Sequence, residues 1–440
     1  MDSAGWDCQE ITINDLGKGN VSPLMMGVNV FKEYHFSRQL GMDSNFALAT
    51  LCLMLVLSCI GGRGGGRVYC LSLEEDRELE EEYARLKKPA VKTIKMDYGD
   101  VYDCVDFYDQ PAFDHPLLKD HKHEYHQTMK PSSYPKREIF PQEDEKSGWR
   151  QTSMRRVDCP IGTVPIRRTT KEEFITAKMQ AKARARINGS NTEGRHGLHV
   201  AIMRTKAVTG KRYNGGGGWM TVEDVPKTND KQYSSAQMKI QRNADTIQVG
   251  WMVNPSLYED KRPRGFIFQQ TTMGACLNLM CPGFILARSD MPVDGLMESV
   301  SHYGGPLYYI KYYIYRDKAK GAWYLEVGPK NVIIGFWPQA LFTGLSDRAD
   351  YLDWGGEVFS PPSIPGPPMG RGRFPIGNIQ WDASFKDIVT INETGDTVVA
   401  SYTDAYSDVI KRYWLIDHGV VKAPYFHTFT YGGPGGATGW

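Results

Sequence analysis

The chain carries almost no net charge: 52 Lys and Arg against 51 Asp and Glu leave a formal +1 over 440 residues. No global field therefore steers it to nucleic acid or to an anionic membrane, and recognition must be local. Long apolar runs are lacking as well. Phe46 to Ile60 is the one extended stretch, and its fifteen residues fall short of the roughly 20 that a membrane-spanning helix needs. Several hydrolase and nucleotide motifs are absent. No Gly-x-Ser-x-Gly elbow occurs and the ten histidines lie mainly in the first half, which argues against a serine hydrolase. His123-Glu124-Tyr125-His126 is one residue too short to be the His-Glu-x-x-His of a zinc peptidase. Gly215 to Gly218 is followed by no Lys-Ser/Thr, so it reads as a flexible or substrate-facing loop rather than a phosphate cradle.

The apolar run suits the core of a signal peptide. Met42 is the expected natural start, with residues 1–41 an extension of the gene prediction, residues 42–70 the signal peptide and a membrane-retained signal anchor the alternative. Of the eight cysteines, Cys8, Cys52, Cys59 and Cys70 then belong to the leader. Cys104, Cys159, Cys276 and Cys281 remain, an even number that suggests disulfides in a secreted chain and allows three connectivities. Zinc is disfavoured because Cys276 and Cys281 have no second ligand pair nearby. Asn188 and Asn392 head glycosylation sequons.

Along the chain, a capping box at Ser72 and apolar spacing at Leu79, Tyr83 and Leu86 predict a helix that Pro89 stops. From Val91 to Lys136 the sequence reads as polar and irregular. His115, His121, His123 and His126 there invite a metal reading, but a solvated loop is the plainer one and no metal is expected; a pH-sensitive segment is a third reading. A second helix starts at Thr169–Glu173 and runs into Lys182-Ala-Arg184-Ala-Arg186, either a basic helix face or a processing site ahead of Asn188-Gly189-Ser190-Asn191. After Leu198 short strands alternate with turns, the pattern of an antiparallel sandwich, with Asp317–Gly321 as a hairpin loop. The Ser360–Pro368 stretch reads as a proline-stiffened loop, and the final Tyr-Gly-Gly-Pro-Gly-Gly-Ala-Thr-Gly-Trp as disordered.

Two strands stand out. In Thr246–Val253, alternation puts Ile247, Val249, Trp251 and Val253 on one face and Gln248, Gly250 and Met252 on the other, with Gly250 leaving room for another molecule's backbone near Gln248. In Trp354-Gly355-Gly356-Glu357-Val358-Phe359 a single carboxylate follows two glycines. These strands, with Cys276–Phe284, Tyr303–Pro306, Gly335–Pro338 and Met369–Pro375, resemble the neprosin family of secreted plant proteins, whose studied members are glutamic endopeptidases cutting after proline. The Phe113–His121 and Cys159–Arg168 stretches resemble that family's activation propeptide.

The resemblance implies an all-β antiparallel β-sandwich of two sheets over residues 187–385, extended by 386–440. A smaller α+β activation propeptide over 71–186 precedes it and inhibits it. It also implies disulfides Cys104–Cys159 and Cys276–Cys281, no cofactor, and a proline-containing peptide or protein as substrate. The chain departs from the family at Gln248, where the characterised peptidases carry a Glu. A Gln and Glu pair is nevertheless what fungal glutamic endopeptidases use. Glu357 then serves as general acid/base, its burial favouring the protonated form, and the Gln248 amide donates to the oxyanion. Trp251, Tyr258 and Trp354 are candidates to pack a proline ring, with core packing as the alternative. The rival reading is a non-catalytic extracellular sandwich that binds a wall polymer or protein.

Overall fold

A computed structural model describes residues 73–126, 128–136, 149–188, 197–225, 227–328, 330–361, 364–421 and 426–436. The expected leader with its four cysteines, and the Gly189–Asn191 part of the expected processing loop, lie outside these residues. Helices α1 (Leu73–Leu86) and α2 (Lys171–Asn188) stand where the sequence places them. The Thr170 hydroxyl accepts from the Glu173 amide (3.1 Å) while the Glu173 carboxylate accepts from the Thr170 amide (2.9 Å), so two helix-end donors of α2 are satisfied reciprocally.

The region read as irregular is in fact partly sheet. Strands are numbered in chain order: β1 (Ala90–Lys95), β2 (Val101–Asp106) and β4 (Thr163–Arg167) form a three-stranded sheet in that order. Apolar alternation is weak here because a crosslink does part of its work. Cys104 on β2 is bonded to Cys159 (Cα–Cα 5.5 Å), and with Tyr102 and Val157 they make a small core of their own.

Among the described residues the rest is two packed sheets. The first has seven strands: β10 (Gly274–Leu277), β9 (Arg264–Thr271), β8 (Asp245–Val253), β7 (Tyr233–Arg242), β15 (Tyr351–Phe359), β5 (Leu198–Thr205) and β18 (Thr403–Ser407), neighbours in that order and all antiparallel. The second has ten. Its main path is β11 (Ile285–Leu286), β14 (Val332–Pro338), β13 (Ala322–Val327), β12 (Leu307–Asp317), β6 (Gly215–Thr221), β16 (Ala383–Ile391), β20 (His427–Gly432) and β19 (Trp414–Val420), with β3 (Trp149–Gln151) beside β12 and β17 (Thr397–Val399) beside β16. The second disulfide, Cys276–Cys281 (Cα–Cα 5.9 Å), closes the loop after β10.

The core lies between the sheets. Ile247, Val249, Trp251 and Val253 of β8 and Leu352, Trp354 and Val358 of β15 meet Ile310, Tyr312 and Ile314 of β12 and Phe385 of β16. Two polar groups carried inward by aromatic side chains are paired across the gap: Trp251 Nε1 donates to Thr221 O (2.8 Å) and the Tyr312 hydroxyl to Gly250 O (2.8 Å).

Three expectations about glycine are overturned. Gly215–Gly218 is the buried strand β6, between β12 and β16, and not a loop. Side chains are missing there because neighbours fill the space: a Cβ on Gly217 would sit 2.2 Å from the Tyr313 ring, and one on Gly216 2.5 Å from Val389 O. Gly250 likewise makes no room for a visitor, since its Cβ would lie 2.0 Å from Ala236 O of β7. The glycine-rich end is also ordered as far as Gly436. Gly433 pairs with Met369 and Gly436 with Gly366, so this backbone extends the sandwich rather than trailing from it. Residues 437–440 of that stretch lie outside the described residues.

Candidate active site

β8 and β15 are separated by one strand, β7, and the alternation that sends Trp251 and Trp354 into the core sends Gln248 and Glu357 to the opposite face. There the two side chains meet: Gln248 Nε2 donates to Glu357 Oε2 at 3.1 Å. The other carboxylate oxygen, Oε1, accepts from the Tyr233 hydroxyl of β7 at 2.9 Å. Tyr233 is held in place by stacking on Phe359, with ring centroids 5.6 Å apart and planes 17° from parallel. Burial pushes the Tyr233 hydroxyl pKa well above its usual value, so it stays a donor at any ordinary pH.

A third donor comes from α2. The guanidinium of Arg184 donates from Nε to Glu357 Oε1 (2.9 Å) and to the Tyr233 oxygen (2.9 Å), with a terminal nitrogen also 2.9 Å from Oε1. Its carbon lies 4.5 Å from the Tyr233 ring centre, 5.1 Å from that of Phe266 and 5.6 Å from that of Phe268. Arg184 is 3% exposed, Glu357 5% and Gln248 2%. Burial works against a charged guanidinium, yet the neighbouring Tyr233 and Glu357 hold its pKa above the usual arginine value.

α2 reaches this position because Phe174, Ala177, Ala181 and Arg184 share one stripe, at i, i+3, i+7 and i+10, and all four are buried. One turn before Arg184, Gln180 exchanges hydrogen bonds with Asn254 (2.8 and 3.3 Å) and donates to Ser256 (2.8 Å), which fixes the register of the helix on the strand end. The basic run is therefore not one uniform face: Lys182 is exposed while Arg184 is turned inward.

A second polar group shares the dyad's face. Asp353, four residues before Glu357 on β15, is fully buried, accepts from Gln237 Nε2 (2.7 Å) and pairs with Lys239 (2.9 Å). Sequence reasoning passed over both Asp353 and Tyr233. The signal for Asp353 was there, in an even spacing from Glu357; for Tyr233 only the pairing of β7 with β15 supplies it.

The three candidate ring-packing residues are not brought to the dyad. Trp251 and Trp354 are fully buried on the core face, because their odd spacing from Gln248 and Glu357 puts them across the sheet. Tyr258 is buried elsewhere, between the guanidinium groups of Arg167 (4.9 Å) and Arg264 (4.7 Å), and its hydroxyl accepts from Asn278 (2.9 Å). It borders a cleft of about 990 Å³, lined also by Tyr83, Arg168 and Asp294, that contains neither member of the dyad. The cleft is open and the dyad is capped, so openness here does not mark the chemistry.

The other expected sites find structural partners. His115 caps a short helical turn, its Nδ1 accepting from the Leu117 amide (3.2 Å), while His123 and His126 lie against Tyr108. Asn392 Oδ1 accepts from the Thr394 and Asp396 amides (3.0 and 2.8 Å), forming a turn, and Asn188 ends α2.

Fold and site together define a β-sandwich with an amide and a carboxyl paired on one sheet face, capped by a helix from an upstream segment. Comparison with known families gives the same order along the chain. Residues 93–206 match the neprosin activation peptide and residues 230–434 match neprosin. The chain belongs to the neprosin family. The neprosin match runs through β16, β19 and β20, so the segment after residue 385 is part of the family domain. Among solved structures, a scytalido-glutamic peptidase with a peptide-based transition state analog is similar at 9% identity and a TM-score of 0.27, covering 54% of this chain and 98% of that one. SCP-B, a member of the Eqolisin family in complex with the tripeptide Ala-Ile-His, is similar at 7% identity with the same coverage and TM-score. Likeness of that degree carries no argument about function.

Proposed function

We propose that this protein is a secreted glutamic endopeptidase, kept latent by its own activation peptide, that hydrolyses peptide bonds next to proline at acidic pH. The observation that carries the reading is the direct hydrogen bond between Gln248 and Glu357, with Arg184 of a helix from the activation peptide bound to the same carboxylate. Hydrolysis needs a base for water and a donor for the oxyanion. In the capped chain both Glu357 oxygens are engaged, Oε2 by Gln248 and Oε1 by Tyr233 and Arg184, and the group is buried away from water. Withdrawal of α2 removes the Arg184 donors. Oε1 then has room to take a proton from water and later pass it to the leaving amine, while the Gln248 amide turns to the developing oxyanion.

With Trp251 and Trp354 in the core, the rings left to receive a proline are Tyr233, Phe266 and Phe268, which α2 covers in the full chain. Secretion is supported by the two disulfides, which form and persist in oxidising compartments.

The test is to acidify the full chain, follow removal of the activation peptide on a gel, and assay a proline-containing peptide against the Glu357→Gln variant. Turnover by the parent that falls at least about a thousandfold in the variant is the expected result. Equal turnover, or none from a fully processed parent, supports the non-catalytic sandwich instead.

A further inference from the structure

We infer that the face of the sandwich beside the dyad is a guanidinium-binding site, formed by the Glu357 carboxylate and the rings of Tyr233, Phe266 and Phe268, and that Arg184 is its built-in ligand. The class of ligand is thus a planar organic cation on a flexible arm: the arginine side chain of a peptide, or a small alkylguanidine. In relation to the proposed activity this names how latency is imposed and what would inhibit the opened enzyme; the site itself stands on its geometry.

Three observations point to a site for this cation rather than to a chance ion pair. The first is composition: three aromatic rings from two strands, β7 and β9, lie within 5.6 Å of one guanidinium carbon. Ring faces attract a desolvated cation, and a flat guanidinium can stack where a hydrated ammonium cannot. Second, neither terminal nitrogen of Arg184 has a hydrogen-bond partner among the described residues although the group is buried, and only one of them is in ionic contact with Glu357, so the rings and the single carboxylate are what compensate its charge. The third is origin. Every other wall of the box belongs to the neprosin-matched span, while the cation comes from the segment matched as activation peptide. Removal of α2 takes away the cation and none of these walls, which stand on β7, β9 and β15.

The site is tested in the full chain by removing the cation and returning it from solution. Arg184→Ala deletes all atoms beyond Cβ, and N-ethylguanidinium replaces them. The melting temperature of this variant is expected to rise by at least about 2 °C at millimolar N-ethylguanidinium, relative to the parent at the same concentration. Propylammonium, with the same charge and no plane, is expected to give less than half that rise, and adding Phe268→Leu to the variant should reduce the guanidinium response likewise. No rise beyond that of the parent, or an equal rise with propylammonium, overturns the inference. Should Arg184→Ala fail to fold, Glu357→Gln in the full chain keeps every atom position but removes the charge. Trypsin is then expected to cut the Lys182–Arg186 stretch at least tenfold faster than in the parent, and an unchanged rate overturns the inference. None of these readouts requires turnover. A chain that binds guanidinium but hydrolyses nothing would sink the proposed activity and leave the site intact.

Discussion

Two of the buried carboxylate–arginine pairs among the described residues differ in where the arginine comes from. Glu357 meets Arg184, a residue of the activation peptide, on the outer face of the seven-stranded sheet. Glu223 meets Arg371 at 3.0 Å, with both side chains almost wholly buried and the arginine inside the neprosin-matched span. Burial raises the Glu223 carboxyl pKa from 4.5 to about 7, against the pull of Arg371. By burial and distance alone the two pairs look alike. The difference is that one arginine can leave with its segment and the other cannot, so the first pair can be a latch while the second is a fixed part of the fold.

The largest effect that would break this comparison concerns the arginines. After the activation peptide has been cleaved, Arg371→Met should cost about 3–5 kcal/mol of unfolding free energy, because it strands a buried carboxylate. Arg184→Met, introduced before cleavage, should then cost nothing measurable, because the cleaved helix departs. Equal losses in denaturant melts would show that the helix stays on and is no latch. Nearly as large is the effect at Trp251: Trp251→Ala should destabilise by about 3–5 kcal/mol and leave the KM for a proline peptide within about twofold, whereas a KM rise without loss of stability would return this ring to the substrate side.

Smaller effects follow from titration. Gln248→Glu places a second carboxyl against Glu357, and like charges that close cannot both ionise easily, so the pH–rate profile should gain another limb. An unchanged profile would remove Gln248 from the chemistry. Glu223 gives the gentlest test. Its carboxyl pKa is raised in the fold, so above pH 4.5 the unfolded chain releases a proton that the folded chain keeps until about pH 7. Stability therefore declines with rising pH across that window and is greatest on the acid side. Glu223→Gln should flatten the decline in melting temperature between these limits, and a parallel curve would show that another group is responsible.

Much of this fold was legible because strand alternation is a local property. The split of Ile247, Val249, Trp251 and Val253 from Gln248 and Met252 is written in their order, and it also predicts that Trp354 and Glu357 face opposite ways. The same rule, applied strictly, would have removed both tryptophans from the substrate candidates at once. Glycine was misread for the opposite reason. A glycine strand such as β6 carries no pattern of its own, and only the rings and carbonyls of β12 and β16 explain why it is a strand. In the basic run of α2 the stripe that buries Arg184 was readable, but a buried arginine is credible only when its carboxylate is known, and that lies 173 residues away.

By itself the sequence determined where the patterned strands lie, which face of each is apolar and which two polar side chains have no place in the core, because periodicity and residue chemistry act over a few residues. Tertiary structure alone decided that these two side chains meet and that Tyr233 and Arg184 bind the Glu357 carboxylate. Strand order and helix docking are set by pairing between segments far apart in the chain, and no local pattern carries that information.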